Sequence, residues 1–294
     1  MQRMPIFWAG SLFSVLWASA FVAGKVALVH IDPMSLLCAR FAVAGCLMLA
    51  WALRTRPAAA WRSQALLANA VVLGVFNNAL YLGLSFLGLR TVSPEATVLI
   101  VSTAPFFAIA LSVISGSRCT WPQLAGVVTG FGGVYLVLSA RMQGGAEPYG
   151  MLLVLLGTLS FAASTVWYRR RAAQHDPLLL NGLQNLVGAL AMLPFAPHLP
   201  QAFSALQHPD YLLAFAHLVL LVSIADFLLW LALLRRIGVA QASSFHLLNP
   251  VFGIVLSALV FGTALRGSDV WGTLVVVAGL ALATWPKKTI EAVR

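Results

Sequence analysis

Asp226 is the only carboxylate set well inside an apolar run of this chain. A charge in that setting costs roughly 2.5–3.5 kcal/mol on membrane-insertion scales unless a partner or a wet cavity receives it. Ser223 and Trp230 fall on the same helical face as Asp226. Such a carboxylate can attract a substrate ammonium or exchange a proton; the other reading is a packing carboxylate bonded to a neighbouring helix. Tyr81, 145 positions earlier, shares a face with Asn78 and Ser85, and Asn77 stands beside them. Asparagines in an apolar helix are costly unless paired, so Asn77 and Asn78 are expected either to line a cavity or to bond across helices. His246, with Ser243 before it, Ser244 nearby and Asn249 after it, can hydrogen-bond a solute or titrate near neutral pH; a satisfied buried histidine is the alternative. Trp17 lies mid-run on a stripe with Gly10, Ser14, Phe21 and Gly24, where it can stack on an aromatic solute, and Trp230 or Trp167 can assist. Lipid anchoring or packing is the competing role for each tryptophan. Together Trp17, Asn77, Asn78, Tyr81, Asp226, Trp230, Ser243, Ser244 and His246 offer one acceptor, several donors and an aromatic wall, which is what a zwitterionic amino acid requires. Asn181, Gln184, Asn185 and Gly188 form a further polar stripe; Gln184 or its repeat partner Arg40 can line the path, but bonding between helices is the preferred role for the stripe, and Arg40 reads as a structural anchor that caps carbonyls or reaches the interface.

The elements that hold these residues must be membrane helices. The chain is 61% hydrophobic and 9% charged, with mean hydropathy +0.91, too little polar surface for a soluble domain. Ten runs have the roughly 20-residue length a bilayer requires: about 6–28, 34–53, 65–88, 93–115, 121–140, 149–168, 178–196, 211–234, 239–262 and 268–285. Asp32-Pro33 and Asp176-Pro177 each place an N-cap acceptor before a proline at the first helical position. The connection from Pro197 to Asp210 is expected to lie along one membrane face. The stretch Leu89–Ser115 recurs at Leu234–Val260, with Leu89-Arg90, Pro105, Phe107, Ile109 and Leu111-Ser112 repeated 145 positions on. The chain therefore divides at about 1–143 and 144–294 into two units of five helices. Five is odd, so the second unit enters the membrane from the opposite side, giving an inverted repeat. With the N-terminus inside, 13 of the 18 Lys and Arg fall on the cytoplasmic side, 4 (Lys25, Arg90, Arg141, Arg266) on the other, and Arg40 within a span. Both termini are expected in the cytoplasm. Pro105 and Pro250, at matched positions, remove a backbone hydrogen bond and are candidate hinges, or static kinks. Gly126, Gly130 and Gly133 permit close helix contact, within the bundle or between protomers.

The net charge of +10 is accounted for by topology, with no basic patch for nucleic acid. Three cysteines at wide spacing fit neither a disulfide framework nor a zinc site, and neither metal nor cofactor is expected. The chain lacks His-Glu-x-x-His, Gly-x-Ser-x-Gly and paired intramembrane carboxylates, which weighs against an intramembrane enzyme. A phosphorylated solute would call for several mid-depth cations where only Arg40 is present; channel function is a further alternative.

Trp17-Ala18-Ser19-Ala20-Phe21, Arg40-Phe41 after Asp32-Pro33, Leu89-Arg90 and the prolines Pro105 and Pro250 resemble the drug/metabolite transporter superfamily, EamA branch, over essentially the whole chain. Within it the chain is similar to YddG-type exporters of aromatic amino acids. The resemblance implies an all-α basket with its cavity lined by the first, third, fourth, sixth, eighth and ninth spans and the fifth and tenth at the periphery. It also implies alternating access, in a bacterial-type inner membrane, as monomer or homodimer. The first span lacks the proton-coupling glutamate of the small multidrug members. The function expected is export of aromatic and other apolar amino acids; other metabolites or cationic drugs are the alternative cargo.

Overall fold

A computed structural model describes residues 5–57, 63–114, 120–143, 147–264 and 267–284. Arg3, Arg62, Arg118, Cys119, Arg266, Lys287, Lys288 and Arg294 lie outside the described residues, as do the side chains of Arg141, Ser243 and Ser244. The described residues are helical, in the order α1 (Ile6–Ala27), α2 (Pro33–Thr55), α3 (Gln64–Leu89), α4 (Pro94–Leu111), α5 (Trp121–Gln143), α6 (Pro148–Ala172), α7 (Pro177–Phe195), α8 (Pro209–Leu233), α9 (Asn249–Phe261) and α10 (Gly267–Thr284). Seven of these, α1 to α4 and α6 to α8, are long and apolar enough to cross a membrane. Large apolar side chains face outward along the bundle: Leu53, Ile114, Leu213, Leu259 and Trp271 are each at least 68% exposed. That surface is stable only against lipid or another apolar partner.

The helix starts follow the expected chemistry. Asp32 Oδ1 accepts from the backbone N–H of Met34 (3.1 Å) and Ser35 (3.0 Å), and Asp176 Oδ1 accepts from Leu178 (2.9 Å) and Leu179 (3.1 Å). Each cap also binds a basic side chain just beyond the other helix. Asp32 Oδ2 meets His198 Nδ1 at 3.1 Å, and Asp176 Oδ2 meets Arg56 Nε at 2.8 Å. This reciprocal pairing fixes α2 antiparallel to α7, and the two backbones close where a Cβ on Gly45 would lie 3.0 Å from Gly182 O. The connection after α7 folds as a short helix, Leu199–Ser204, tied to the start of α2 by the His198 N–H donating to Ser35 Oγ (3.1 Å).

The same reciprocity recurs elsewhere. α3 packs on α6 as α8 packs on α1, α4 on α6 as α9 on α1, and α5 on α10. The last pair forms the most extensive contact in the chain, which settles the role of the α5 glycines: they serve a contact within the bundle. A Cβ on Gly133 would lie 2.8 Å from both Gly272 O and Val276 N.

Two boundaries differ from expectation. The eighth helix does not end at Leu234: an unbroken helical stretch covers Phe227–Ser244. Ser93-Pro94 ends the corresponding segment of the first half with an N-cap and proline, whereas no proline occurs between Pro209 and Pro250, so nothing stops the helix at Arg235-Arg236. As a result α9 is only 13 residues long. The fourth helix is interrupted at Ser102–Thr103, before Pro105, and a 3-10 turn at Phe245–Leu248 precedes Pro250.

Two outcomes follow for thermal unfolding in detergent. Gly133→Ala should lower Tm, because α5 and α10 must part to admit the methyl at a cost of about 1–3 kcal/mol. Gly132→Ala, with nothing within 4 Å of its added Cβ, should leave Tm unchanged or slightly raised. At the α2 cap, burial pushes the Asp32 carboxyl up, but hydrogen bonds from the Ser35 backbone and hydroxyl, with His198, together hold it below the usual carboxylate range. Its contribution is therefore complete above the ordinary carboxylate pKa of about 4 and is lost only as pH falls through the depressed value. Asp32→Asn should flatten that acid limb, whereas Asp32→Ala should cost about 1 kcal/mol at neutral pH as well.

Candidate functional site

An internal cavity lies among α1, α2, α3, α6, α7 and α8, with about 610 Å³ of empty space counting the part open to solvent. Two helices bring polar groups to it by the same irregularity. α3 widens to a π-helix over Gly74–Leu82 and α8 over His217–Asp226. The wider turn offsets successive side chains and lets Asn77, Asn78 and Tyr81 from one helix, and Ser223 and Asp226 from the other, reach the same space.

A chain of side-chain hydrogen bonds ties these helices together. Asn77 Nδ2 donates to Asn78 Oδ1 (3.4 Å), and Asn78 Nδ2 to Asn185 Oδ1 on α7 (3.3 Å). Asn185 Nδ2 and Gln184 Nε2 donate to Asn181 Oδ1 at 2.8 and 3.1 Å. Asn181 Nδ2 donates to the Ser223 carbonyl on α8 (2.9 Å), and the Ser223 hydroxyl accepts from Arg40 Nε on α2 (2.8 Å). The stripe on α7 thus bonds between helices and also lines the cavity. Each amide inside the bundle finds a partner, as burial away from water requires.

The opposite wall is aromatic. Tyr81 stacks on Phe161 (centroids 4.7 Å apart) and Trp17 lies parallel to Tyr81 at 6.4 Å. Trp230 stacks on Phe13 at 4.9 Å. Charge is confined to two side chains. Arg40 and Asp226 are 2% and 1% exposed. No ion pair joins them; Arg40 Nη1, Asp226 Oδ1 and the indole Nε1 of Trp17 are all buried without a hydrogen-bond partner. The site offers donors, a carboxylate acceptor and ring faces to a solute.

Of the sequence candidates, Trp17, Asn77, Asn78, Tyr81, Asp226 and Trp230 line the cavity. His246 does not. It sits behind the wall, edge-on to Phe13, Trp17 and Trp230, with Nδ1 bonded to Asn249 Nδ2 at 2.8 Å. The 3-10 turn at Phe245–Leu248 shifts its register relative to the continuous helix expected there. Trp167 is also elsewhere, donating to Asn69 Oδ1 (2.9 Å), and His217 bonds Ser19 Oγ (2.7 Å). Arg40, expected as an anchor reaching the interface, instead enters the cavity, as do Phe161, Gln184 and Ser223. The second and seventh helices therefore contribute to the lining, and α4 and α9 do not. The isolation of Arg40 at mid-depth was legible in the sequence; the partner that turns it inward, Ser223, was not. A further buried carboxylate, Glu95 at the start of α4, accepts from the Ser257 hydroxyl on α9. Among the described residues no cluster of His, Cys, Asp or Glu gathers to hold a metal.

A second cavity shares Asn77, Phe161, Gln184, Phe227 and Trp230 with the first and runs to Tyr168 and Arg169 at the end of α6. Toward the other end the walls close: Phe21 packs on Phe86 at 6.1 Å. There Lys25 Nζ at the end of α1 also donates to the carbonyls of Leu89 (2.6 Å), Arg90 (3.0 Å) and Val92 (3.3 Å).

Comparison with known proteins gives the same architecture. A protein of known crystal structure superposes with a TM-score of 0.69 over 95% of this chain and 96% of its own, at 21% identity, a likeness of fold. The uncharacterized inner membrane transporter YedA of Escherichia coli K12 is 25% identical over 97% of this chain and 92% of its own length. A probable amino-acid metabolite efflux pump of Salmonella typhimurium is 26% identical over 92% and 91%. The sequence profile of the EamA-like transporter family matches residues 4–139 and again 148–285, so nearly the whole chain is covered by two copies of one unit. The chain belongs to the EamA-like transporter family, as a multi-pass membrane transporter.

Proposed function

We propose that this transporter exports amino acids, aromatic and other apolar ones among them, across the bacterial inner membrane by alternating access around the central cavity. The observation that carries this reading is the cavity itself: a buried carboxylate, Asp226, with an unpartnered oxygen faces aromatic walls of a size to hold an indole or phenyl ring. The Salmonella relative described as a probable amino-acid metabolite efflux pump supports it. In this reading the chain makes ten crossings, as inverted units 1–143 and 144–294, with both termini in the cytoplasm. Reciprocal packing of α3 on α6 and α8 on α1, and the two matches of the family profile, favour that arrangement. Arg169, Arg170 and Arg171 then mark the cytoplasmic face. The cavity leads to that face, while Lys25 and the Phe21–Phe86 contact seal the other. Breaks in helical structure before Pro105 and Pro250 give the two halves matched points at which to bend.

A second reading, carriage of a cationic drug or metabolite, is favoured by the same unpartnered Asp226 oxygen; Arg40 in the same cavity opposes it.

The deciding measurement is exchange of labelled tryptophan and phenylalanine in proteoliposomes. Wild type should exchange both well above empty vesicles, and Asp226→Asn should raise KM on the order of tenfold or more, since a hydrogen bond to a charged group is worth ~1.5–3 kcal/mol. Exchange of organic cations with no amino-acid exchange would select the second reading. Orientation is checked separately: in a chain whose own cysteines are replaced, Thr165→Cys should react with an impermeant maleimide from the cytoplasmic side, and saturating tryptophan should slow that reaction.

A further inference from the structure

Two opposite charges that share a buried cavity ordinarily close on each other, because the low dielectric makes separation costly. Here they are held apart. The Ser223 hydroxyl receives Arg40 Nε at 2.8 Å and fixes the guanidinium, leaving Nη1 buried without a partner. Asp226 follows Ser223 by three residues on α8, is 1% exposed, and leaves Oδ1 without a partner. Trp17 adds a third open group, an indole N–H with no acceptor. All three residues line one space. A buried polar atom left unmet carries its full desolvation penalty, and these three orphans comprise two donors, one of them on the Arg40 guanidinium, and one acceptor on the Asp226 carboxylate. A simple cation would answer Asp226 and leave Arg40 worse off; a simple anion would do the reverse. Only a solute bearing both charges a short distance apart satisfies the set.

Building on the amino-acid reading above, we propose that Arg40, assisted by the Trp17 indole N–H, recognises the substrate carboxylate while Asp226 recognises the ammonium. The cavity is thereby a zwitterion site that admits a free amino acid and rejects its decarboxylated and deaminated analogues. The guanidinium fork suits a carboxylate because two N–H groups can point at it in one plane. Selectivity then comes from the charge left unpaired by the wrong solute, and a site with buried polar groups discriminates strongly on that basis. The ring faces of Tyr81, Phe161 and Trp230 receive the side chain and contribute little to charge selection. Arg40 is thus a specificity-determining residue, distinct from an anchor that only joins α2 to α8.

The test uses full-length protein in nanodiscs and proteoliposomes with three probes: tryptophan, tryptamine (no carboxylate) and indole-3-propionate (no ammonium). Wild type should bind tryptophan at least about tenfold more tightly than either analogue. Arg40→Gln should lose tryptophan affinity by a similar factor and bind tryptamine as well as or better than wild type does. Asp226→Asn should show the mirror pattern with indole-3-propionate. Arg40→Lys, which keeps the charge without the fork, should recover part of the tryptophan affinity. An Arg40→Gln protein of unchanged Tm that binds tryptophan normally, or loses tryptophan and tryptamine equally, would overturn the role of Arg40 while leaving amino-acid export standing. If Arg40→Gln fails to fold, the wild-type panel decides: equal affinity for tryptophan and tryptamine refutes the zwitterion site. Wild type that binds none of the amino acids but takes tryptamine would remove the amino-acid reading too.

Discussion

The structure depends on one constraint: inside hydrocarbon, a polar group that no other part of the chain answers is costly, and backbone groups must all be answered. The amide relay from Asn77 through Asn78, Asn185 and Asn181 to Ser223 and Arg40 is how this sequence meets it. The relay crosses four helices, so it sets their rotations about their own axes as well as their separation. A rotation of α7 would carry Asn181 away from the Ser223 carbonyl and Asn185 away from Asn78 together. Dispersion packing between apolar helices in lipid specifies rotation weakly, because one leucine face packs much like another. Hydrogen bonds have direction, and they supply what packing lacks. The relay therefore does double duty as the element that orders α2, α3, α7 and α8 and as the polar half of the cavity wall.

How much of this could be read from the sequence follows from which signals are local. The helix starts at Asp32-Pro33 and Asp176-Pro177 depend on two adjacent residues and could be read directly. The reciprocal contacts that they make with His198 and Arg56 could not, because each joins residues more than a hundred positions apart. Asp226 and Tyr81 were legible as a cavity pair because an isolated polar group in an apolar run has few explanations. Arg40 met the same criterion and was read as an anchor, since a long side chain near a helix start is able to reach the interface. What decides its direction is Ser223, 183 residues away. His246 shows the opposite failure. Its polar neighbours at helical spacing suggested a cavity face, but a 3-10 turn rotates side chains by more per residue than an α-helix does. The face drawn from 3.6-residue periodicity therefore did not exist at that point.

Two kinds of departure from regular helix occur at matched places, although the π-helical turn at Tyr168–Ala172 in α6 has no counterpart in α1. π-helical stretches stand in α3 and α8, and breaks precede Pro105 and Pro250. A π stretch weakens the hydrogen-bond ladder and widens the helix, which is tolerable only where neighbours or water take up the freed carbonyls. On α3 one such carbonyl, that of Phe76, receives the Ser160 hydroxyl of α6 at 2.7 Å. The irregularity is thus fastened from outside the cavity while its open side faces the cavity.

That arrangement bears on how the bundle can move. α5 and α10 meet backbone to backbone at Gly133 and Val276, and α2 meets α7 at Gly45 and Gly182, so neither pair can slide without collision. Rigid, close contacts of this kind serve as fulcrums rather than as moving surfaces. In the alternating-access reading, the helices that tilt are those with breaks, α4 and the stretch leading into α9, together with α1 and α6, on which these pack. At one end Lys25 bonds three carbonyls that follow α3. Opening that end would give up those bonds, and the Lys25 charge would need a new partner or water. In the proposed carrier, a solute that satisfied both Arg40 and Asp226 would answer the open polar atoms of the cavity, and the bundle could then close on it from the Arg169 side while the Lys25 end gave up its bonds.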